Sequence, residues 1–173
     1  MRSSLYHVLT MLTLLISPFA QALPSDADQP IHIAANSASI NDKTGITTYK
    51  GNVIIKQGTL LIEAAVVDMY RGNDGVDKLI AKGSPAHFRQ KPSKTEPYSD
   101  AWGKHLVYQV KSRKLTITKS AKVIQGEDTF TGEKIIYDLE NSIVDAFGNE
   151  NPKDTTSNGR VFMVIQPKAK GAQ

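Results

Sequence analysis

Residues 51 to 64 read "GNVIIKQGTLLIEA", two apolar runs with polar residues interleaved, parted by Gln57-Gly58. Period-two alternation sends successive side chains to opposite faces of an extended chain, the pattern of a strand with one buried face. Before the glycine, Lys50, Asn52 and Lys56 hold the even positions, so Tyr49, Val53 and Ile55 point to the interior. After it, Leu60, Ile62 and Ala64 alternate with Glu63, and then Val67 and Met69 alternate with Asp68. The inward parity therefore flips at Ala64-Ala65, as at a β-bulge or a corner between sheets.

The pattern returns further on. Gln125-Gly126 follows Gln57-Gly58 by 68 positions, within "SAKVIQGEDTFTG", residues 120 to 132. Leu115, Ile117 and Val123 alternate there with Lys114 and Lys122, and a second corner is expected at Gly132-Glu133, before Ile135 and Tyr137. Two copies of one strand-corner-strand unit point to a β architecture built by repetition. Helix is a minor element at most, since no window of the mature chain keeps helical spacing for three turns. Asn41 to Gly45, Gly72 to Gly75 and Lys111 to Arg113 carry hairpin chemistry between apolar runs. At about ten residues per strand and turn, the chain holds roughly 14 to 16 strands, enough for a barrel or two packed sheets. The polar, proline-bearing segments 89 to 100 and 148 to 159 read as loops inside one domain, and the tail "PKAKGAQ" as frayed.

The chain opens with Met1-Arg2, an apolar run from Leu5 to Phe19 and then Ala20-Gln21-Ala22, the layout of a secretory signal, residues 1 to 22. A retained anchor is the alternative reading, although the run is short for a membrane span. The mature chain is then residues 23 to 173, a single domain, with 20 basic and 17 acidic residues and a net charge of +3. That mild balance does not call for nucleic acid. Without cysteine, stability in an oxidising compartment must come from packing and sheet hydrogen bonds. The stretch Ala101 to Gly126 carries Lys104, Lys111, Arg113, Lys114, Lys119 and Lys122 with no acid. It reads as a solvated face of lysine stems or as an attraction for an anionic partner.

Nothing in the chain spells out catalysis. His32, His87 and His105 lack metal-ligand spacing, and no nucleophile elbow or phosphate loop occurs. Neither a cofactor nor a metal is expected. Gly51, Gly58 and Gly126 read as bulges or close approaches and not as phosphate contacts. Met69, Phe88, Tyr108, Phe130 and Tyr137 suit a core, or an apolar groove if two sheets stay open along one side.

In this setting "QPIHI" (29 to 33), "YKGNVIIKQGTLLIEA" (49 to 64), "GSPAHFRQ" (83 to 90), "GEKIIYD" (132 to 138) and "VIQP" (164 to 167) carry a family resemblance. The chain resembles the LptA, OstA-like family of periplasmic lipopolysaccharide-transport bridge proteins. The resemblance implies an all-β fold, two facing antiparallel sheets in an open jellyroll, and no enzyme activity. It also implies a groove for the acyl chains of lipopolysaccharide, its lipid A portion, and head-to-tail self-association into a bridge between inner-membrane and outer-membrane components. Ala65 departs from the family, which often has an acid there, whereas the second corner keeps Glu133.

Elementary physics suits that function. A chain of about a dozen carbons costs on the order of 10 kcal/mol to expose in water, so a lipid crossing an aqueous gap needs a sheath. Seven or eight strands spaced about 4.8 Å give a groove of roughly 35 Å, enough for an acyl chain but not for a wide gap. Free sheet edges, here "QPIHIAA" and "RVFMVIQP", allow copies to join head to tail, and no inward charge guards them. On inward parity, the expected lipid-binding residues are Ile31, Ile33, Tyr49, Val53, Ile55, Ile62, Phe88, Tyr108, Leu115, Ile117 and Phe130. A β-fibre subunit with a filled core uses the same edges but carries nothing. A carbohydrate-binding jellyroll would want exposed aromatics, and the single Trp102 beside a polar loop offers little.

Overall fold

The computed structural model describes residues 26 to 149 and 159 to 167; the signal expected at 1 to 22, most of the loop expected at 148 to 159 and the end of the tail lie outside them. A short 3-10 turn, Asp26–Asp28, precedes ten strands: β1 His32–Ala34, β2 Ser37–Asn41, β3 Ile46–Gln57, β4 Leu60–Gly72, β5 Gly75–Gln90, β6 Ser99–Gln109, β7 Lys114–Gln125, β8 Asp128–Asp138, β9 Ile143–Phe147 and β10 Phe162–Val164. All pairs are antiparallel, in the order β1-β3-β4-β5-β6-β7-β8-β10, with β2 beside β3 and β9 beside β8.

The expectation of 14 to 16 strands in two sheets is corrected to ten described strands hydrogen-bonded into one sheet. The parity flips lie inside long strands instead of ending them. β3 to β8 run 11 to 16 residues each, and pairing resumes on both sides of a register shift in every ladder between them. The shifts fall at Lys50/Val53, Glu63/Val66, Lys82/Ala86, Trp102/His105 and Thr118/Ala121, a line of bulges crossing the sheet. The corner at Ala64-Ala65 is borne out, and at Gly132-Glu133 β8 changes partner from β10 to β9. The unit read as duplicated is thus one corner repeated along the sheet.

That line folds the sheet upon itself. Phe88 pairs with Ala101, and Tyr108 lies seven residues further along β6, roughly 23 Å away in a flat strand. Yet the Phe88 and Tyr108 rings are 5.1 Å apart, and Ser99 Oγ lies 2.8 Å from the Tyr137 hydroxyl at the far end of β8. The strand halves before and after the bulges therefore face each other across one interior. Small residues line its bend: Ala81, Ala86, Ala101 and Ala121 are buried, and a Cβ on Gly103 would strike Ile117 Cγ2. Gly51, φ +81°, sits at the first bulge with its carbonyl accepting from Asn36 N–H at 2.9 Å. Gly58 and Gly126, read as strand glycines, instead open the β3–β4 and β7–β8 turns, with φ +56° and +60°.

Candidate functional site

The register lines inward side chains up in rows that cross the strands. On one half, Ile33, Ile55, Ile62, Phe88, Ala101, Val123, Phe130 and Met163 are successive partners from β1 to β10. On the facing half a second row runs Ala38, Tyr49, Val67, Ala81, Leu106, Ile117, Ile135 and Ala146, from β2 to β9. A third, nearer the strand ends, contains Met69, Leu79, Tyr108, Leu115, Tyr137 and Val144. In a half-buried sheet the antiparallel register holds each row in place, because a one-residue slip would turn it outward. Burial is nearly complete mid-row and relaxes at the sheet edges. Phe88 and Ile117 are sealed, Ile33, Tyr49 and Phe130 are half-buried, and Met163 is 50% exposed.

The structure therefore gathers ten of the eleven expected lipid-binding residues about one interior. Ile33, Ile55, Ile62, Phe88 and Phe130 share the first row, Tyr49 and Ile117 the second, and Tyr108 and Leu115 the third. Val53 pairs with Ala64 beside the bend. Ile31 stands apart, exposed just before β1. Val53, Ile55, Ile62, Phe88, Tyr108, Leu115 and Ile117 are packed as core, none more than 4% exposed. The expected list left out Val123 and Ile135, although their alternation was legible, and Leu106, which the pairing register places in the second row.

Opposite the bend, the strand ends form a mouth. A cavity of about 550 Å³ opens there between the β3–β4 turn, the segment after β5 and the β6–β7 turn, with Leu60, Tyr108 and Val110 at its apolar back. Polar bonds close it. Asp26 Oδ1 accepts from Thr59 N–H at 2.7 Å, and its Oδ2 accepts from Thr59 Oγ1 at 2.6 Å and Gln90 Nε2 at 2.7 Å. The Tyr108 hydroxyl donates to Gln90 Oε1 at 3.2 Å, so Asp26, Gln90 and Tyr108 link the N-terminal turn to both halves. Arg113 Nη2 reaches Pro92 O across the mouth at 2.8 Å. Burial pushes the Tyr108 and Tyr137 hydroxyls above the ordinary tyrosine value, keeping both as neutral hydrogen-bond partners.

The outer face is ionic. His87 lies between Glu63 (3.1 Å) and Asp100 (2.6 Å), and Arg89 clasps both Asp100 oxygens at 2.8 and 3.1 Å. Burial pushes the Asp100 carboxyl up, but hydrogen bonds from Arg89 and His87 outweigh it and hold the group below its ordinary value. The cluster is a cross-strand hydrogen-bond network built on the Arg89–Asp100 ion pair; among the described residues no group of three potential ligands is placed to hold a metal.

The edge strands are short, and the β10 margin is apolar. β1 and β2 share one margin, β9 and β10 the other, as expected for "QPIHIAA" and "RVFMVIQP". Phe162, Met163, Val164 and Ile165 are all at least half exposed. A folded sheet with apolar rows and open margins matches a known sequence pattern: residues 32 to 143 fit the family described as "LptA/(LptD N-terminal domain) LPS transport protein".

The chain belongs to the LptA/LptD N-terminal domain family.

The family resemblance in the sequence is thus borne out. Among curated relatives, the lipopolysaccharide export system protein LptH of Pseudomonas aeruginosa is 37% identical over 155 residues, covering 89% of each chain. LptA of Escherichia coli K12 is 31% identical over 155 residues, covering 88% of this chain and 83% of its own. The crystal structure of P. aeruginosa LptH, titled as the LptA-homologous periplasmic component of a lipopolysaccharide transport device, superposes with a TM-score of 0.75 at 36% identity. It covers 83% of this chain and 100% of the crystallised one.

Proposed function

We propose that this chain is a non-enzymatic periplasmic carrier of lipopolysaccharide, exported by a cleaved signal peptide and folded as a single jellyroll domain. Acyl chains of lipid A lie between the facing halves, and copies join head to tail between inner-membrane and outer-membrane components. The observation that carries this reading is the unbroken apolar row from Ile33 to Met163, which crosses eight strands and ends at two free edges. A neighbour adding a strand there continues the row, and with it the sheath. Apolar contact between the halves is non-directional and so permits them to part for a lipid chain, in a way that a hydrogen-bonded interior would resist.

Photo-crosslinking residues placed at Ile33 and Phe88 in cells should capture lipopolysaccharide, while Lys56 and Glu63, outside the inward rows, should not. Equal capture at all four positions sinks the assignment. The filled core is the observation that favours a second reading, a structural β-fibre subunit that carries no lipid. Native mass spectrometry after mild extraction separates the two, since copurified lipid supports the carrier and its absence supports the fibre.

A further inference from the structure

On the outer side of the bend, away from both mouth and interior, the bulges of β5, β6 and β7 leave an open depression of about 510 Å³. It is lined by Ser84, Pro85, Trp102, Lys104, Lys119, Ser120 and Lys122. Three lysines line it, with no carboxylate among the lining residues. Lys82 and Lys114 on the same sheet reach Asp68 (3.4 Å) and Asp138 (3.6 Å), whereas among the described residues Lys104, Lys119 and Lys122 make no ion pair. The backbone enforces the convergence. Lys119 and Ser120 are consecutive residues in the left-handed region, φ +65° and +61°, at the bulge that turns them outward, while Ala121 points into the core. Trp102 is held upright by a stacked His87, ring centroids 4.9 Å apart at 8°, and by Lys122 Nζ at 5.5 Å from the ring. Burial first, then Lys82 and Lys119, push the neighbouring His105 below its ordinary value, in keeping with a positive field.

Uncompensated ammonium groups in a concavity select an anion, and lysine serves phosphate as a point charge. The volume exceeds what a phosphate fills, and the rest is furnished with two serine hydroxyls, an indole edge and a proline ring, which suit the hydroxyls and C–H faces of a sugar. We propose that this depression is a binding site for a phosphorylated saccharide, independent of the apolar interior. Two sources share that chemistry, the phosphate-bearing saccharide of a lipopolysaccharide and a free sugar phosphate.

Trp102, the only tryptophan of the chain, reports directly on occupancy. Its emission should shift saturably with glucose monophosphate or with acyl-free, phosphate-bearing lipopolysaccharide saccharide. Glucose and the dephosphorylated saccharide should bind roughly tenfold more weakly or not at all, and added salt should weaken the phosphorylated probes. A response to the saccharide alone assigns the source to lipopolysaccharide, and a response to glucose monophosphate alone assigns it to the free compound; either supports the site. The double variant Lys104→Gln/Lys119→Gln should lose the response, with unchanged circular dichroism, and Lys50→Gln/Lys56→Gln should keep it. The site is overturned by no shift with either phosphorylated probe, by equal shifts with their unphosphorylated counterparts, or by a wild-type response in a folded Lys104→Gln/Lys119→Gln variant. Photo-crosslinking at Phe88 is unaffected by any of these results, so the two proposals fail separately.

Discussion

Asp100 shows how one carboxylate organises an outer sheet face. It accepts two hydrogen bonds from Arg89 and one from His87 on the adjacent strand, and Asp100→Asn takes the carboxylate charge out of these three contacts while keeping the shape. Because Arg89 is half exposed, the loss should be modest, about 1 kcal/mol in urea unfolding at neutral pH. With a folded value held below the ordinary 3.8, the stabilisation is present above that pH and is lost as pH falls through the folded value. The gap between wild type and Asp100→Asn should therefore close in strong acid; a gap constant down to that range contradicts the assignment. The buried tyrosines behave in the opposite sense. Tyr108 and Tyr137 are raised above 10, so their contribution is complete below pH 10 and declines at higher pH, where ultraviolet titration should show delayed ionisation.

At the scale of elements, the bend depends on what is missing from it. A Cβ on Gly103 meets Ile117 Cγ2 at 2.4 Å and the Thr118 carbonyl at 3.2 Å, so Gly103→Val must displace a packed strand. The expected cost is about 1–3 kcal/mol, read from the denaturant midpoint. Ser120→Ala, on the outside of the same bend and exposed, is the control and should leave the midpoint in place. The edge strand β10 makes the contrasting case. Phe162, Met163, Val164 and Ile165 are at least half exposed, and Met163 ends the first row at a free edge. Deleting residues 160 to 173 should then collapse concentration-dependent oligomers to monomers in light scattering while β-type circular dichroism persists. Undiminished oligomers would place stacking on another surface, and global unfolding would make β10 a core element.

The whole molecule is a sheet folded like a book, continuous at the spine and tied at the mouth by a few polar bonds. If lipid enters by parting the halves, pinning the mouth blocks entry without touching an apolar row. The chain has no cysteine, so Ser93→Cys/Arg113→Cys, at two residues that line the mouth and lie in no apolar row, bridged by a short bismaleimide, tests this. The bridged protein should fail to take up lipopolysaccharide, while the unbridged double variant still does; uptake by the bridged form excludes opening at the mouth.

Much of this was legible in the chain itself. Alternation around Ile55 and Ile62, the flip at Ala64-Ala65 and the hairpin residues Asn73-Asp74 are local signals, set by the two-residue period of strands and the conformations turns demand. They determined an all-β chain with corners, its end strands and the inward residues of most strands. Whether a parity flip ends a strand or bends it was not local, since the hydrogen bonds that continue through each bulge belong to neighbouring strands. That is why ten strands, six of them long, read in the sequence as 14 to 16 short ones. The alignment of Ile33 through Met163 into one row, and the meeting of Lys104, Lys119 and Lys122 beside Trp102, likewise depend on register and on the fold of the sheet. Those are properties of contacts between residues far apart in sequence, and only the tertiary structure supplies them.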